Sequence, residues 1–141
     1  MKLRLFSLLI LLGTLSHAKL SKELLGEWTL NEEATKKELR SQKKWQEADE
    51  KMLPKVLGRM SSVTYSVTNK AVNVLVKGNL KMTFPVTGES KENDHKVIET
   101  TVISKGEEVK ITLTFIQKGK NSYIIKSNKT NDMDHYIWSK K

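Results

Sequence analysis

From Ser62 to the end of the chain, apolar and polar residues change places at almost every step. Val63, Tyr65 and Val67 alternate with Thr64, Ser66 and Thr68; Val72, Val74 and Val76 follow, then Leu80, Met82, Phe84 and Val86. Successive side chains of a strand point to opposite faces, so this period of two predicts strands with one buried face each. The same alternation predicts strands over 97–104, 109–116, 123–127 and 133–139. Asn69-Lys70, Gly78-Asn79, Lys105-Gly106-Glu107 and Lys118 to Asn121 read as the turns between them. Gly88 to Asp94 reads as a polar loop. Pro85 has no N–H for a ladder and marks an edge or a bulge. Leu24 to Leu30 adds a strand at the start, which makes about eight in all.

Between Leu30 and Ser62 the period lengthens. Asn31 can cap a helix, and Glu32 and Glu33 then fall in its first turn, where the helix dipole favours acids. Ser41 reads as a break or a second cap. Trp45, Ala48, Met52, Leu53, Val56, Leu57 and Met60 recur at steps of three and four, the stripe of an amphipathic helix. Pro54 is expected to kink that helix or begin a new turn. The fold class that follows is mainly β: an antiparallel up-and-down β-barrel of about eight strands, with a helical insertion between the first and second strands. Such a barrel has little interior space, or room for one small ligand.

The first residues read differently. Lys2 and Arg4 precede the apolar run Leu5 to Leu12, and Ser16-His17-Ala18 supplies small residues where a signal peptidase reads. Residues 1–18 are therefore expected to be a signal peptide cleaved after Ala18, with residues 19–141 forming one barrel domain. The apolar run is shorter than the roughly 20 residues a membrane span requires. The chain has no cysteine, which excludes disulfides and a lipid-modified cysteine. Small secreted eukaryotic domains usually rely on disulfides, so a bacterial periplasm or the medium is the expected location.

The formal net charge is +9, of which the leader supplies two. The excess collects between Lys36 and Arg59 and again from Lys118 to Lys141, interleaved with Glu38, Glu47, Asp49 and Glu50. Interleaving of this kind is a solvated face and not a nucleic-acid stripe. The expected partners are thus no nucleic acid and no membrane span, and the chain is expected to be a monomer. There is no Gly-x-Ser-x-Gly elbow, phosphate-cradling glycine loop or His-Glu-x-x-His. No pair of carboxylates stands out from the charge-balanced surface, so no enzyme is expected.

Gly26-Glu27-Trp28 on a first strand, a capped helical segment and an up-and-down meander together resemble the calycin superfamily, which includes lipocalins and intracellular fatty-acid-binding proteins. The resemblance covers the whole of residues 19–141 in order and length, and its specific part is Gly26 and Trp28. It implies a barrel closed around Trp28 and a helix pair, the Trp45–Met60 face included, acting as a lid over the mouth. It also implies a basic residue of the last strand stacked on Trp28, for which Lys140 is the candidate. Fatty-acid-binding proteins place Arg-x-Tyr on the last strand. Aligning Tyr136 with that tyrosine puts Asp134 in the arginine's place, so the carboxylate clamp does not carry over.

Trp28 is expected to fill the closed end, its indole N–H bound to a carbonyl. Tyr65, Val74, Met82, Phe84, Tyr123 and Tyr136 are the expected lining of a cavity, and Lys126 is a candidate to project inward and hold an anion. Asp132, Asp134 and His135, with His95 if it folds nearby, form the densest polar cluster, but the spacing matches no established metal site. No metal and no cofactor are therefore expected. The function these readings imply is an exported lipocalin-like protein binding a small apolar or amphipathic molecule in its barrel. The alternative is a filled barrel without a ligand, serving as an interaction module for an envelope protein.

Overall fold

The first strand meets the last. In the computed structural model, Trp28 pairs with Lys140, Thr29 with Ser139 and Leu30 with Trp138, and this seam closes a cylinder of eight antiparallel strands. The structure describes residues 19–130 and 133–141; the leader to Ala18, and Asn131 and Asp132, lie outside the described residues. The strands are β1 (Gly26–Leu30), β2 (Val63–Val67), β3 (Ala71–Val76), β4 (Asn79–Glu92), β5 (His95–Ser104), β6 (Glu107–Gly119), β7 (Ser122–Ser127) and β8 (Ile137–Lys140). Each pairs with its sequence neighbours, so the order around the barrel is the order along the chain. Two helices, α1 (Glu32–Arg40) and α2 (Glu47–Met60), stand between β1 and β2.

An up-and-down barrel puts alternate connections at the same end. The helical insertion and the β3–β4, β5–β6 and β7–β8 connections share the end called upper here. The β2–β3, β4–β5 and β6–β7 turns share the lower end with residues 19–25.

The expected polar loop from Gly88 to Asp94 is instead mostly strand. β4 runs to Glu92, pairing Ser90 with Val97 and Glu92 with His95. The turn shrinks to Asn93 and Asp94, whose φ angles of +49° and +66° make a two-residue hairpin turn possible. The irregularity expected at Pro85 falls two residues later: Pro85 stays in register with Ala71, and the ladder shifts between Val86 and Gly88.

α1 begins where its sequence signal lies. The Asn31 side chain accepts a hydrogen bond from the Ala34 N–H at 3.0 Å. Thr35 is fully buried; its hydroxyl accepts from the Ile137 N–H at 2.9 Å and ties the helix to β8. Ile124 and Ile137 pair across β7 and β8 on the face turned away from the lumen, yet both are buried. With Glu38 of α1 bridged to Lys118 of β6, α1 accounts for this cover on the barrel's outer wall. α2 meets α1 along a groove lined by Lys36 and Arg40 on one side and Leu53 and Leu57 on the other, with an Arg40–Glu50 ion pair across it. Of the apolar stripe on α2 only Leu53 and Leu57 are buried. Pro54 lies within α2 without ending it. Among the described residues no helix is long and apolar enough to cross a membrane.

Candidate functional site

The lumen is filled below and open above. At the lower end Leu20 and Leu24 enter from the segment before β1, and Trp28, with no exposed surface, fills the centre. The Trp28 ring meets Phe115 and Tyr123 edge-on, with centroids 5.6 Å and 5.2 Å away. Its indole N–H donates to the Leu24 carbonyl at 3.1 Å, as expected of a buried tryptophan. Lys140 lays its ammonium 5.3 Å from the Trp28 ring centroid, so the stacked basic residue is present. The positive φ of Gly26, +125°, explains the glycine two residues before the tryptophan.

Above this plug lies a cavity of about 320 Å³. One wall is built by cross-strand neighbours: Tyr65 pairs with Val74, Val74 with Met82, and Val72 with Phe84. The facing wall is Ile111 and Leu113 of β6 with Ile125 and Ser127 of β7, and Lys129, Thr130 and Met133 of the β7–β8 connection complete the rim. The lining is thus largely branched and aromatic, with polar groups gathered at the upper end.

Tyr65 is the polar group deepest in this wall. Its ring meets Trp138 edge-on at 4.7 Å, and its hydroxyl points to the Met133 sulfur at 3.8 Å. Burial pushes the phenol up to about 12, so it remains a neutral hydroxyl throughout the physiological range. Beside it, the fully buried Trp138 indole N–H has no hydrogen-bond partner among the described residues. A buried donor without an acceptor costs free energy, about 1–3 kcal/mol in mutational series.

Of the expected lining, Tyr65, Val74, Met82 and Phe84 come together on one wall. Tyr123 is buried elsewhere: it lies edge-on against Trp28 in the lower plug. Tyr136 packs against the core just before β8 without lining the cavity. Lys126 does not enter the lumen. It sits between Ile125 and Ser127, which do, so alternation turns it outward, where its ammonium is 3.8 Å from Asp134. Asp134, in the position of a ligand-binding arginine in the resembled family, is thereby engaged outside the cavity. The expected helical lid is also corrected, since neither helix contributes a residue to the lining.

Among its described residues, the polar cluster before β8 brings no ligand set together. Asp132 lies outside the described residues, and His135 borders a surface groove with Leu39 and Trp45. His95 begins β5 at the lower end, across the barrel from that cluster. Among the described residues no three acidic or histidine side chains form a metal-binding set.

The far wall, Ile111, Leu113 and Ile125, and the inward Trp138 were not singled out from sequence. Ile125 and Trp138 carry a signal, each standing two residues from a tyrosine expected in the lumen, Tyr123 and Tyr136; Ile111 and Leu113 alternate on β6, where no residue was expected to line the cavity. Comparison of the chain with family models, with curated proteins and with solved structures yields no match.

Proposed function

We propose that this protein is a calycin-like carrier that binds one small apolar or amphipathic molecule in the upper half of its barrel. The observation that supports the reading is the cavity itself. At about 320 Å³ it reaches the lower limit of ordinary ligand pockets, about 300 Å³. A barrel built only as a scaffold has no reason to leave branched and aromatic walls unpacked, because interiors otherwise pack as densely as organic crystals. The apolar body of the ligand lies against Val72, Val74, Phe84 and Leu113. Its polar end, if it has one, faces the rim, where Ser127, Lys129 and Thr130 supply hydroxyls and an ammonium. Binding without chemistry fits a lining whose deepest titratable group, Tyr65, holds its proton. The leader pattern supports export, to a periplasm or to the medium, as the setting.

A neutral polarity-sensitive probe, N-phenyl-1-naphthylamine, tests the reading. Its emission is expected to rise and shift to the blue in the wild-type protein. Val74→Trp, which fills the cavity from the middle of one wall, is expected to abolish the change while the far-ultraviolet circular dichroism is retained. Equal responses from both proteins would place the probe elsewhere and overturn the reading.

A further inference from the structure

The two hairpin turns at the mouth carry a lysine where the backbone disfavours one. Lys77 and Gly78 have φ angles of +52° and +79°, and Lys105 and Gly106 have +51° and +78°. Two successive positive φ angles are the turn that right-twisted hairpins favour, and Asn, Asp or Gly ordinarily occupies both positions. The β4–β5 turn at the lower end meets the same demand in the ordinary way, with Asn93 and Asp94. At the upper end the glycine stands second in each turn, and a lysine takes the strained first position both times. Asn suits this left-handed conformation better than lysine does, so backbone preference alone does not explain the choice.

The surroundings supply a reason. Leu80, Met82 and Ile103 are 60%, 54% and 73% exposed. They are three of the four exposed large hydrophobic residues among the described ones; Leu80 and Ile103 each stand two residues from a positive-φ turn residue, whereas Met82 lines the cavity at its mouth. Lys81 flanks the first turn and Lys129 stands on the rim. Glu107 and Glu108 are the acids next to the second turn. Among the described residues, none of Lys77, Lys81, Lys105 and Lys129 is held in an ion pair.

We propose that this end of the barrel docks on an anionic lipid bilayer. Leu80 and Ile103 enter the interfacial layer, and Lys77 and Lys105 at the turn tips meet the lipid phosphates. A soluble polyanion would use the lysines but leave the apolar tips in water. A bilayer surface satisfies both, since interfacial binding adds apolar burial to attraction for anionic headgroups. The docking depends on this surface and not on whether the cavity holds a ligand. If it does, the mouth faces the bilayer, and an amphipathic molecule passes between the two without crossing bulk water.

Co-sedimentation with vesicles of phosphatidylcholine alone, and with about one third phosphatidylglycerol, tests the proposal. The protein is expected to sediment only with the anionic vesicles. Lys77→Asn/Lys105→Asn keeps turn-compatible residues and so keeps the fold, which a thermal melt verifies. It is expected to bind about thirty-fold more weakly, from about 1 kcal/mol for each lysine near an anionic surface. The cysteine-free chain also permits a single environment-sensitive label at Ile103→Cys or, as a control, at Asn93→Cys. The label at position 103 is expected to shift to the blue on anionic vesicles and the label at 93 to stay unchanged. Unchanged affinity in the double variant, or a response at 93 in place of 103, overturns the proposal. So does equal binding to heparin combined with no effect of Ile103→Ser on vesicle binding, which would assign the lysines to a soluble polyanion.

Discussion

Lys140 spans the indole of Trp28 while its aliphatic stem passes within 3.5 Å of the point where a side chain on Gly26 would begin. The first and last strands are thus locked by a glycine, a tryptophan and a lysine that meet at the closed end of the barrel. Because 3.5 Å is an ordinary contact, the cost of a side chain at position 26 comes from the backbone, whose φ is +125°. Gly26→Ala is expected to lose about 1–3 kcal/mol in urea denaturation, and adding Lys140→Ala is not expected to restore it. Recovery in the double variant would mean that crowding, not backbone strain, explains the glycine.

Trp28 carries more of the stability than the lysine above it. Truncating a fully buried tryptophan to alanine costs about 3–5 kcal/mol, whereas an exposed cation–π contact is worth about 0.5–1 kcal/mol. Denaturation of Trp28→Phe and Lys140→Met is expected to follow the same order, with the tryptophan variant the less stable. The reverse order would show that Lys140 does more than cover the ring.

Thr35 tests the attachment of α1 to the barrel. Its hydroxyl accepts from the Ile137 N–H in a fully buried position. Thr35→Val keeps the shape and removes the acceptor, so about 1–3 kcal/mol is expected to be lost. Hydrogen exchange at Ile137 is expected to accelerate in the variant more than exchange at Ile98 on the opposite side of the sheet.

Tyr65 gives a pH signature. The buried phenol has its pKa raised from 10.0 to about 12, so the folded state holds the proton more tightly than the unfolded chain does. Its contribution to stability is complete below pH 10 and is lost as pH rises toward 12. Difference absorbance is expected to show a phenol titrating near the top of that window in wild type and missing in Tyr65→Phe. Wild type is also expected to lose more stability across the window than Tyr65→Phe does.

The barrel was legible because its strands alternate cleanly: Val63-Tyr65-Val67 and Val72-Val74-Val76 leave no doubt about which residues share a face. The helix cap at Asn31 was legible for a similarly local reason, whereas the Trp28–Lys140 contact, between residues at opposite ends of the domain, was expected only through the family resemblance. The cavity was only half legible. Tyr65, Val74, Met82 and Phe84 lie on adjacent strands with easy registers, but how far Trp28, Phe115 and Trp138 fill the lumen depends on three-dimensional packing. Tyr123 and Lys126 are three residues apart on one strand, so they project to opposite faces; Tyr123 falls in the plug and Lys126 outside. The α2 stripe fixed which face of the helix is apolar. It carried no information on whether that face meets the barrel mouth or, through Leu53 and Leu57, the neighbouring helix. Gly88 to Asp94 looked like a loop because its residues are polar, yet a strand that projects past the core needs no apolar face.

Native mass spectrometry of the protein purified without detergent addresses the occupant of the cavity most directly. The account predicts a complex carrying one small apolar or amphipathic molecule, released on acid unfolding and absent from Val74→Trp purified in parallel. Protein that emerges uniformly unliganded, and that also fails to take up N-phenyl-1-naphthylamine, would contradict it.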